Sequence, residues 1–373
     1  MTMPLPRDEK VQWIRLFRTE NVGPVTFAWL ISTYKTASAA IDALPQLSRR
    51  GGRSRPLNAI SRAAAERELE WAEKRGIRII ASCEPDYPVL LSHISDAPPL
   101  LAIMGNPGLL GQPCISIVGS RNASLAGNRL AQQFAREIGA AGCTVVSGLA
   151  RGIDTAAHKG ALASGTAAVM AGGIDVVYPP ENRPLYEEIR EHGVIVSECA
   201  PETQPTAHHF PRRNRIVSGL SLGTLVVEAS ARSGSLITAR LAAEQGREVF
   251  AIPGSPLEPR SFGPNQLIRD GAAMATTSAD ILDFIRNTHT RLGERQGNLF
   301  DSPSSPPPGD SEMDATRTLL LEKLGTTPVS IDETIRECDV SCATLMALLA
   351  ELEIAGRIAR LPGNRICLVP EEP

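Results

Sequence analysis

From Gly111 to about Ile285 the chain alternates short β-rich runs with helical stretches, and no other feature restricts its fold as much. Strands buried on both faces read as brief apolar runs, and a helix between successive strands returns the chain so that they lie parallel. The expected strands are Cys114–Val118, Cys143–Val146, Ala167–Met170, Val194–Val196, Thr224–Val227 and Val249–Ile252. Between the first two, Leu130, Phe134 and Ile138 recur every four residues, and Gly142 stands where a helix C-cap belongs. The fold class that follows is α/β, a doubly wound and mostly parallel Rossmann-like sheet.

The flanks read differently. From Val11 to about Arg75 apolar residues recur at spacings of three or four, as in a small helical bundle. Its first turn, Asn21-Val22-Gly23-Pro24, resembles a helix-hairpin-helix turn, whose backbone N–H groups suit a phosphate. The second glycine usual in that turn is missing, and plain helix packing explains the same residues. After Arg286 the composition shifts to RLGERQGNLFDSPSSPPPGDSE, too poor in apolar side chains to order itself. Beyond it lie helical stretches at Ala315–Leu324, Ile331–Cys338 and Cys342–Ala355. Two β-like runs follow, Arg357–Leu361 and Arg365–Val369, turned by Pro362-Gly363-Asn364, which is the order of a winged helix. A groove-reading third helix carries basic or amide side chains. Here it contains Glu351 and Glu353 and no Lys or Arg, which argues against duplex reading. The 373 residues are therefore expected to comprise a helical, helix-hairpin-helix-like domain (1–80), the Rossmann-like domain (81–286), a disordered Pro/Ser-rich linker (287–313) and a winged-helix domain (314–373).

The formal charge of −3 gives no global sign of a nucleic-acid partner, so any such site must be a local patch. The seven cysteines are odd in number and scattered, as free thiols in a reducing compartment are. Cys338 and Cys342 have metal-like spacing without further ligands nearby, so no metal and no cofactor is expected. The N-terminus lacks a secretory apolar run and no segment approaches a membrane span, which places the protein in the cytoplasm, away from membranes.

In a doubly wound fold, ligands meet the loops at the C-terminal ends of the strands. The first strand runs into Gly119-Ser120-Arg121-Asn122, where backbone N–H groups, a hydroxyl, a helix N-terminus and a guanidinium suit a phosphate. A tight turn with a surface arginine explains the same residues. The second strand ends in Ser147-Gly148, with Gly152 and then Asp154 in an N-cap position; His158 stands one turn on, either touching a ligand or satisfied locally. His208-His209-Phe210-Pro211-Arg212-Arg213-Asn214-Arg215 combines an aromatic ring with three arginines, the pairing a sequence-tolerant single-strand groove needs. A solvated basic loop is the bland alternative. Ser233-Gly234-Ser235 and Pro253-Gly254 add a third and a fourth anion-friendly loop. There is no GxxxxGK[ST], GxGxxG, GxSxG or HExxH pattern, so catalysis is not the default. The competing enzymatic reading is a Rossmann-like nucleotide-processing hydrolase: Leu222–Glu228 faintly resembles the GGxGTxxE region of phosphoribohydrolases, although Leu220 and Ser221 stand in place of its first glycines. A protein-interaction adaptor centred on the acidic terminal helix is a third.

The runs IVGSRNASLAG, VVSGLARGIDTAAHKGAL, MAGGIDVVYPPEN, SECAPETQPTAHHFPRRNRIVSGLS, VVEASARSGSLITARLA and VFAIPGSPLEPRSFGPNQLIRDGA resemble, in order and spacing, the signature of the DprA/Smf family (DNA-processing protein A). The resemblance covers Cys114 to Ala272, and the flanks also resemble family members that carry an N-terminal helical (SAM-like) domain and a C-terminal winged helix. It implies a homodimer that binds and protects incoming single-stranded DNA in natural transformation and helps load RecA. It also implies a phosphate pocket at Gly119, Ser120 and Arg121, with Phe210, Arg212, Arg213, Asn214 and Arg215 on or beside the DNA path. It assigns no residues to the dimer or RecA surfaces.

Overall fold

The computed structural model describes residues 4–292, 310–361 and 363–370. Among these the chain divides into two compact units, one running from Glu68 onward with the large sheet, the other joining Leu5–Arg67 to the C-terminal segment.

Helices α1 (Arg7–Phe17), α2 (Pro24–Tyr34) and α3 (Ala37–Arg50) form the N-terminal layer, and α4 (Arg62–Glu73) follows. Val11, Ile14 and Leu16 are buried on α1, and the Trp13 ring meets Phe27 of α2 at 4.9 Å. Asn21 takes the left-handed conformation at φ 61°, and Pro24 occupies the first position of α2, where its missing N–H has no helical partner to lose. The Thr36 side chain caps α3 by accepting from the Ala39 N–H.

The sheet contains β1 (Arg78–Ala81), β2 (Leu100–Gly105), β3 (Cys114–Val118), β4 (Thr144–Ser147), β5 (Thr166–Val169), β6 (Val194–Ser197), β7 (Gly223–Val226), β8 (Glu248–Ala251) and β9 (Ala273–Met274). Their spatial order is β1-β2-β6-β5-β4-β3-β7-β8-β9; β3 to β9 pair in parallel, whereas the β1–β2 and β2–β6 pairs are antiparallel. The six expected strands are all present, each bound shifted by at most one residue. The sheet is wider than expected by β1, β2 and β9, and β1 crosses the expected domain boundary at residue 80.

The helices of this unit are α5 (Val89–Ser92), α6 (Leu125–Ala140), α7 (Ile153–Ala161), α8 (Arg183–His192), α9 (His209–Gly219), α10 (Ser235–Glu244), α11 (Phe262–Arg269) and α12 (Ser278–Leu292). The two-residue period of the strands sends Ile115, Ile117, Val145 and Leu225 to one face, under Phe134 and Ile138 of α6, Ala157 of α7 and Ile281 of α12. Val118, Val146, Val196 and Val226 go to the other, under Leu91 of α5, Ile216 and Val217 of α9 and Ala239 of α10. Each of the larger side chains, Val, Leu, Ile and Phe, contributes about 1.5–3 kcal/mol of hydrophobic stabilisation. Gly142 follows α6 in the left-handed region at φ 85°, where the expected helix stop falls.

Three expectations are corrected. The arginine-bearing segment 209–219 is a helix, α9, because Pro211 lies in its first turn, where proline is tolerated, and Ile216, Val217 and Leu220 bury one face. α12 continues to Leu292, past the expected start of the linker at 287, and the next helix begins at Asp310; the intervening part of that linker lies outside the described residues. Asp154 is not an N-cap: α7 starts at Ile153 behind Gly152, so the carboxylate lies inside the first turn.

The C-terminal segment comprises α13 (Asp310–Lys323), β10 (Val329–Ser330), α14 (Ile331–Cys338), α15 (Cys342–Ile354), β11 (Ile358–Leu361) and β12 (Arg365–Leu368). The strands form an antiparallel sheet in the order β10-β12-β11. Leu320, Ile331, Leu345, Leu349, Ile358 and Ile366 make its core, a winged helix as expected; of the predicted Pro362-Gly363-Asn364 turn, Pro362 lies outside the described residues.

Arg215 anchors α9. Its side chain is buried, ion-paired with Glu198 at the end of β6 and with Asp96 at 3.4 Å, and Gln245 Nε2 donates to its carbonyl at 3.1 Å. Removing one partner of a buried pair leaves an uncompensated charge. Arg215→Met is therefore expected to lower unfolding free energy by about 3 kcal/mol in urea titrations, with secondary structure retained in the absence of denaturant.

Candidate nucleic-acid interface

The loops leaving β3, β4 and β5 border a cavity of about 340 Å³, closed on a further side by Pro205, Phe210 and Arg213. In the β3–α6 turn, Gly119 is required for space: a β-carbon there would lie 2.6 Å from Ile153 Cγ1. Ser120 N–H donates to the Glu228 carbonyl at 2.7 Å, and its own carbonyl accepts from Ile153 N–H at 3.2 Å. The turn is thereby fastened to β7 and α7, and Arg121 projects from it into solvent. The Arg121 guanidinium lies over the Phe210 ring, 4.9 Å from its centroid, a cation–π contact that presents charge and aromatic surface together.

The β4–α7 loop is built around Asp154, whose Oδ2 accepts from Gly148 and Ala150 N–H, each at 3.2 Å. Arg213 Nη1 stands 3.8 Å from the same oxygen, and the guanidinium rests on Gly148, where a β-carbon would come within 1.3 Å of it. Gly152, at φ 73°, packs its α-carbon against the Ser120 carbonyl. Burial pushes the Asp154 carboxyl upward, opposed by Arg213 and by the two backbone donors. Arg213 borders the cavity, and its buried Nε has no hydrogen-bond partner among the described residues.

His158 is fully buried. It accepts from Leu149 N–H through Nε2 at 3.3 Å and pairs through Nδ1 with Thr166 Oγ1 at 2.9 Å, so it braces the loop from beneath and does not line this cavity. Burial, with Arg213 adding to it, pushes its pKa down to about 3.

Arg121, Gly148, Phe210 and Arg213 thus converge on one cavity, while Gly119, Ser120 and Gly152 lie outside its lining and hold the turn that carries Arg121. Other expected residues do not join them. Ser147 is buried and donates to the Ile117 carbonyl at 2.7 Å, so its hydroxyl is consumed within the sheet. Arg215 is consumed by Glu198 and Asp96. Ser233 and Ser235 bond one another at 2.7 Å, and the Ser233–Ser235 and Pro253-Gly254 loops stand off the cavity, since the β7 and β8 ends contribute nothing to its lining. Arg212 is exposed and Asn214 half-buried on α9, outside the lining. Glu228 does not stand as a free acid: its carboxylate accepts from the Ser124 N–H at 2.9 Å and hydroxyl at 2.5 Å, bracing the start of α6.

Tyr178 was not singled out by sequence reasoning. It is 47% exposed, borders the cavity and lies 5.7 Å from the Phe210 ring. An exposed aromatic directly before two prolines, in a loop after a buried strand, was the available signal. No group of three or more metal-ligating side chains is assembled among the described residues, and none of their helices is long and apolar enough to cross a membrane.

A doubly wound core with a cationic, aromatic cavity at its carboxyl edge, flanked by a helical layer and a winged helix, defines a Rossmann-like protein of modular build. The family described as DNA recombination-mediator protein A matches residues 78–286, a DprA-like N-terminal HHH domain matches 7–70, and a DprA winged helix domain matches 303–364. The chain belongs to that family. It is 38% identical over 310 residues to Protein Smf of Escherichia coli (82% of each chain) and 43% identical over 231 residues to DNA processing protein DprA of Bacillus subtilis (61% of this chain, 78% of the relative). The X-ray structure of DprA from Streptococcus pneumoniae superposes with TM-score 0.62 at 32% identity, covering 75% of this chain and 98% of that one. A structure describing the single-stranded DNA binding mode of DprA from Helicobacter pylori gives TM-score 0.53 at 28% identity, covering 57% and 96%.

The brace beneath the loop carries a pH dependence. Because the folded-state pKa of His158 lies below its ordinary 6.5, its contribution is complete above that value and is lost as pH falls toward 3. Replacing it by glutamine, which does not titrate, isolates the effect. The stability difference between native protein and His158→Gln is expected to shrink by about 2 kcal/mol from about pH 7 to about pH 5 in denaturant titrations.

Proposed function

We propose that the cavity and the exposed arginines beside it bind single-stranded DNA without sequence selectivity. The observation that carries this reading is the Arg121–Phe210 stack at the mouth of a cavity bordered by the buried Arg213. Arginine charge neutralises phosphates and aromatic faces accept any base, which is the combination sequence-tolerant binding requires. Arg121, Arg213 and the nearby Arg212 take the phosphates, Phe210 and Tyr178 offer stacking surface, and Gly119, Ser120, Gly148 and Gly152 allow the backbone to approach. The H. pylori relative, described by its single-strand binding mode, supports the same reading.

The protein is a binder rather than an enzyme: Asp154, His158 and Glu228, the candidate acids and bases, are each committed to bonds that hold loops in place. As a member of its family it acts in the cytoplasm on incoming DNA during natural transformation, as a homodimer that protects the strand and helps load RecA; the family resemblance supports this wider role.

Fluorescence anisotropy with a labelled oligodeoxythymidine tests the site. Arg121→Ala is expected to weaken binding about tenfold at physiological salt and to flatten the dependence of log affinity on log salt by about 0.7. Phe210→Ala is expected to cost about 1–3 kcal/mol with an unchanged salt slope, since it removes stacking rather than charge. Unchanged affinity in Arg121→Ala combined with Arg212→Ala would sink the proposal.

A further inference from the structure

The unit that joins the N-terminal helices to the winged helix is held together by α15, the helix that a DNA-reading winged helix lays in a groove. Here α15 packs against α2 and α3. Its sequence, CATLMALLAELEI, is apolar around most of its circumference, as a helix buried on several sides must be. Leu345, Leu349 and Leu352 enter the winged-helix core, while Ala350, Glu351 and Ile354 are buried as well. Both of its acids are turned inward. Glu351, 4% exposed, accepts from Arg317 Nη2 at 2.6 Å and lies 3.9 Å from Arg50 Nη1; Glu353 accepts from the Thr26 hydroxyl and from Arg360 Nε at 2.9 Å.

The closest approach is at Gly51. Its φ of −70° is open to any residue, so what demands glycine is space: a β-carbon would fall 2.2 Å from the Glu351 carbonyl oxygen and 2.6 Å from Ala355 Cβ. At Gly52 a β-carbon would stand 3.0 Å from Arg357 Nη1. Docking therefore sets Arg357 against the run Arg49-Arg50-Gly51-Gly52-Arg53-Ser54-Arg55, which holds four arginines and no acid in a chain of formal charge −3. Complementing the C-terminal end of α3 explains Arg49 and Arg50 alone. Arg53 pairs with Glu20 at 3.0 Å, whereas Arg49 and Arg55 are exposed. Of the acids of α15, Glu353 is occupied beneath the run, while Glu351, bonded to Arg317, also stands 3.9 Å from Arg50 and offsets part of its charge.

We propose that the docked flanks form a second site for nucleic-acid backbone, composed of Arg49, Arg50, Arg53 and Arg55 with Arg357, and present only while α15 is docked. The ligand is a run of phosphates, and the site is independent of the sheet cavity. The winged helix then serves nucleic acid through the arginine that follows its third helix and through docking, not by inserting that helix.

The test uses the full chain carrying Arg121→Ala, so that the sheet cavity contributes little, with a labelled oligodeoxythymidine and a duplex of equal length. Arg49→Ala with Arg55→Ala is expected to weaken binding at least about fivefold at ~0.1 M salt. It should also flatten the salt slope by about 1.8 on the duplex or about 1.4 on the single strand. Loss on the duplex alone assigns the site to duplex, and loss on both assigns it to either backbone. Gly51→Leu, which wedges α15 away without straining the backbone, is expected to open the chain to trypsin at Arg360, whose side chain is 13% exposed in the docked state, and to reduce binding at least as much. Unchanged affinity for both probes in the double variant overturns the proposal. So does retained affinity in a Gly51→Leu protein whose tryptic pattern shows α15 released. Neither result bears on the sheet cavity, which is judged by Arg121→Ala in the otherwise native chain.

Discussion

Strand β3 is hydrogen-bonded along both edges to parallel partners, β4 on one side and β7 on the other, and the rest of the large unit is arranged by that fact. The pairing is deep enough to bury hydroxyls, Ser116 on β3 bonding Thr224 on β7 at 2.7 Å with both side chains fully enclosed. Parallel strands need helical crossovers, and these fold back with one hand. The helix after β3, α6, consequently covers one face while the helix after β7, α10, covers the other. Their starting loops part company at the carboxyl edge, leaving a crevice beside β3 that no crossover fills. The cavity opens on the β4–β5 side of that point because α9 brings Phe210 and Arg213 over those strands.

Within the crevice the decisive groups are buried charges. Asp154 and Arg213 are each nearly enclosed, so each loses hydration that only hydrogen bonds and mutual attraction offset. At 3.8 Å their contact is long for a salt bridge, and two backbone N–H groups already occupy Asp154. Arg213 borders the cavity with a buried Nε that has no partner among the described residues, while Asp154 fixes the loop beneath it. Buried polar clusters of this kind favour one loop conformation, because any rearrangement leaves donors without acceptors in a medium of low polarity. His158, neutral and bonded at both ring nitrogens, extends the same constraint into the sheet.

The parallel strands were legible because burial on both faces leaves a strong local signature in five consecutive apolar or small residues such as Cys114–Val118. The glycine-rich turns were legible too, although their glycines answer to close packing as much as to anion binding. The antiparallel strands β1, at the sheet edge, and β2, between β1 and β6, were missed because Arg78–Ala81 and Leu100–Gly105 lie outside the βαβ repeat that marked the others. The arginines were the harder problem. In Arg212-Arg213-Asn214-Arg215 the sequence shows three equivalent charges, but helical geometry turns one to solvent, one to the cavity and one into the core. Only the register of α9 separates them, and an unrecognised helix has no register.

The same distinction between charge present and charge available explains the C-terminal unit. Read as a string, α15 is acidic and unfit to stand near a polyanion. In the fold Glu351 and Glu353 are interior acceptors, each neutralised by arginine and screened from solvent, so they set packing rather than surface potential. Exposed at that end are Arg49, Arg50 and Arg55, with Arg50 3.9 Å from Glu351. A chain with a formal charge of −3 can present cationic surfaces by this means: acids are spent inside, where a hydrogen-bonded partner offsets their burial, and arginines are left at edges where phosphates are within reach.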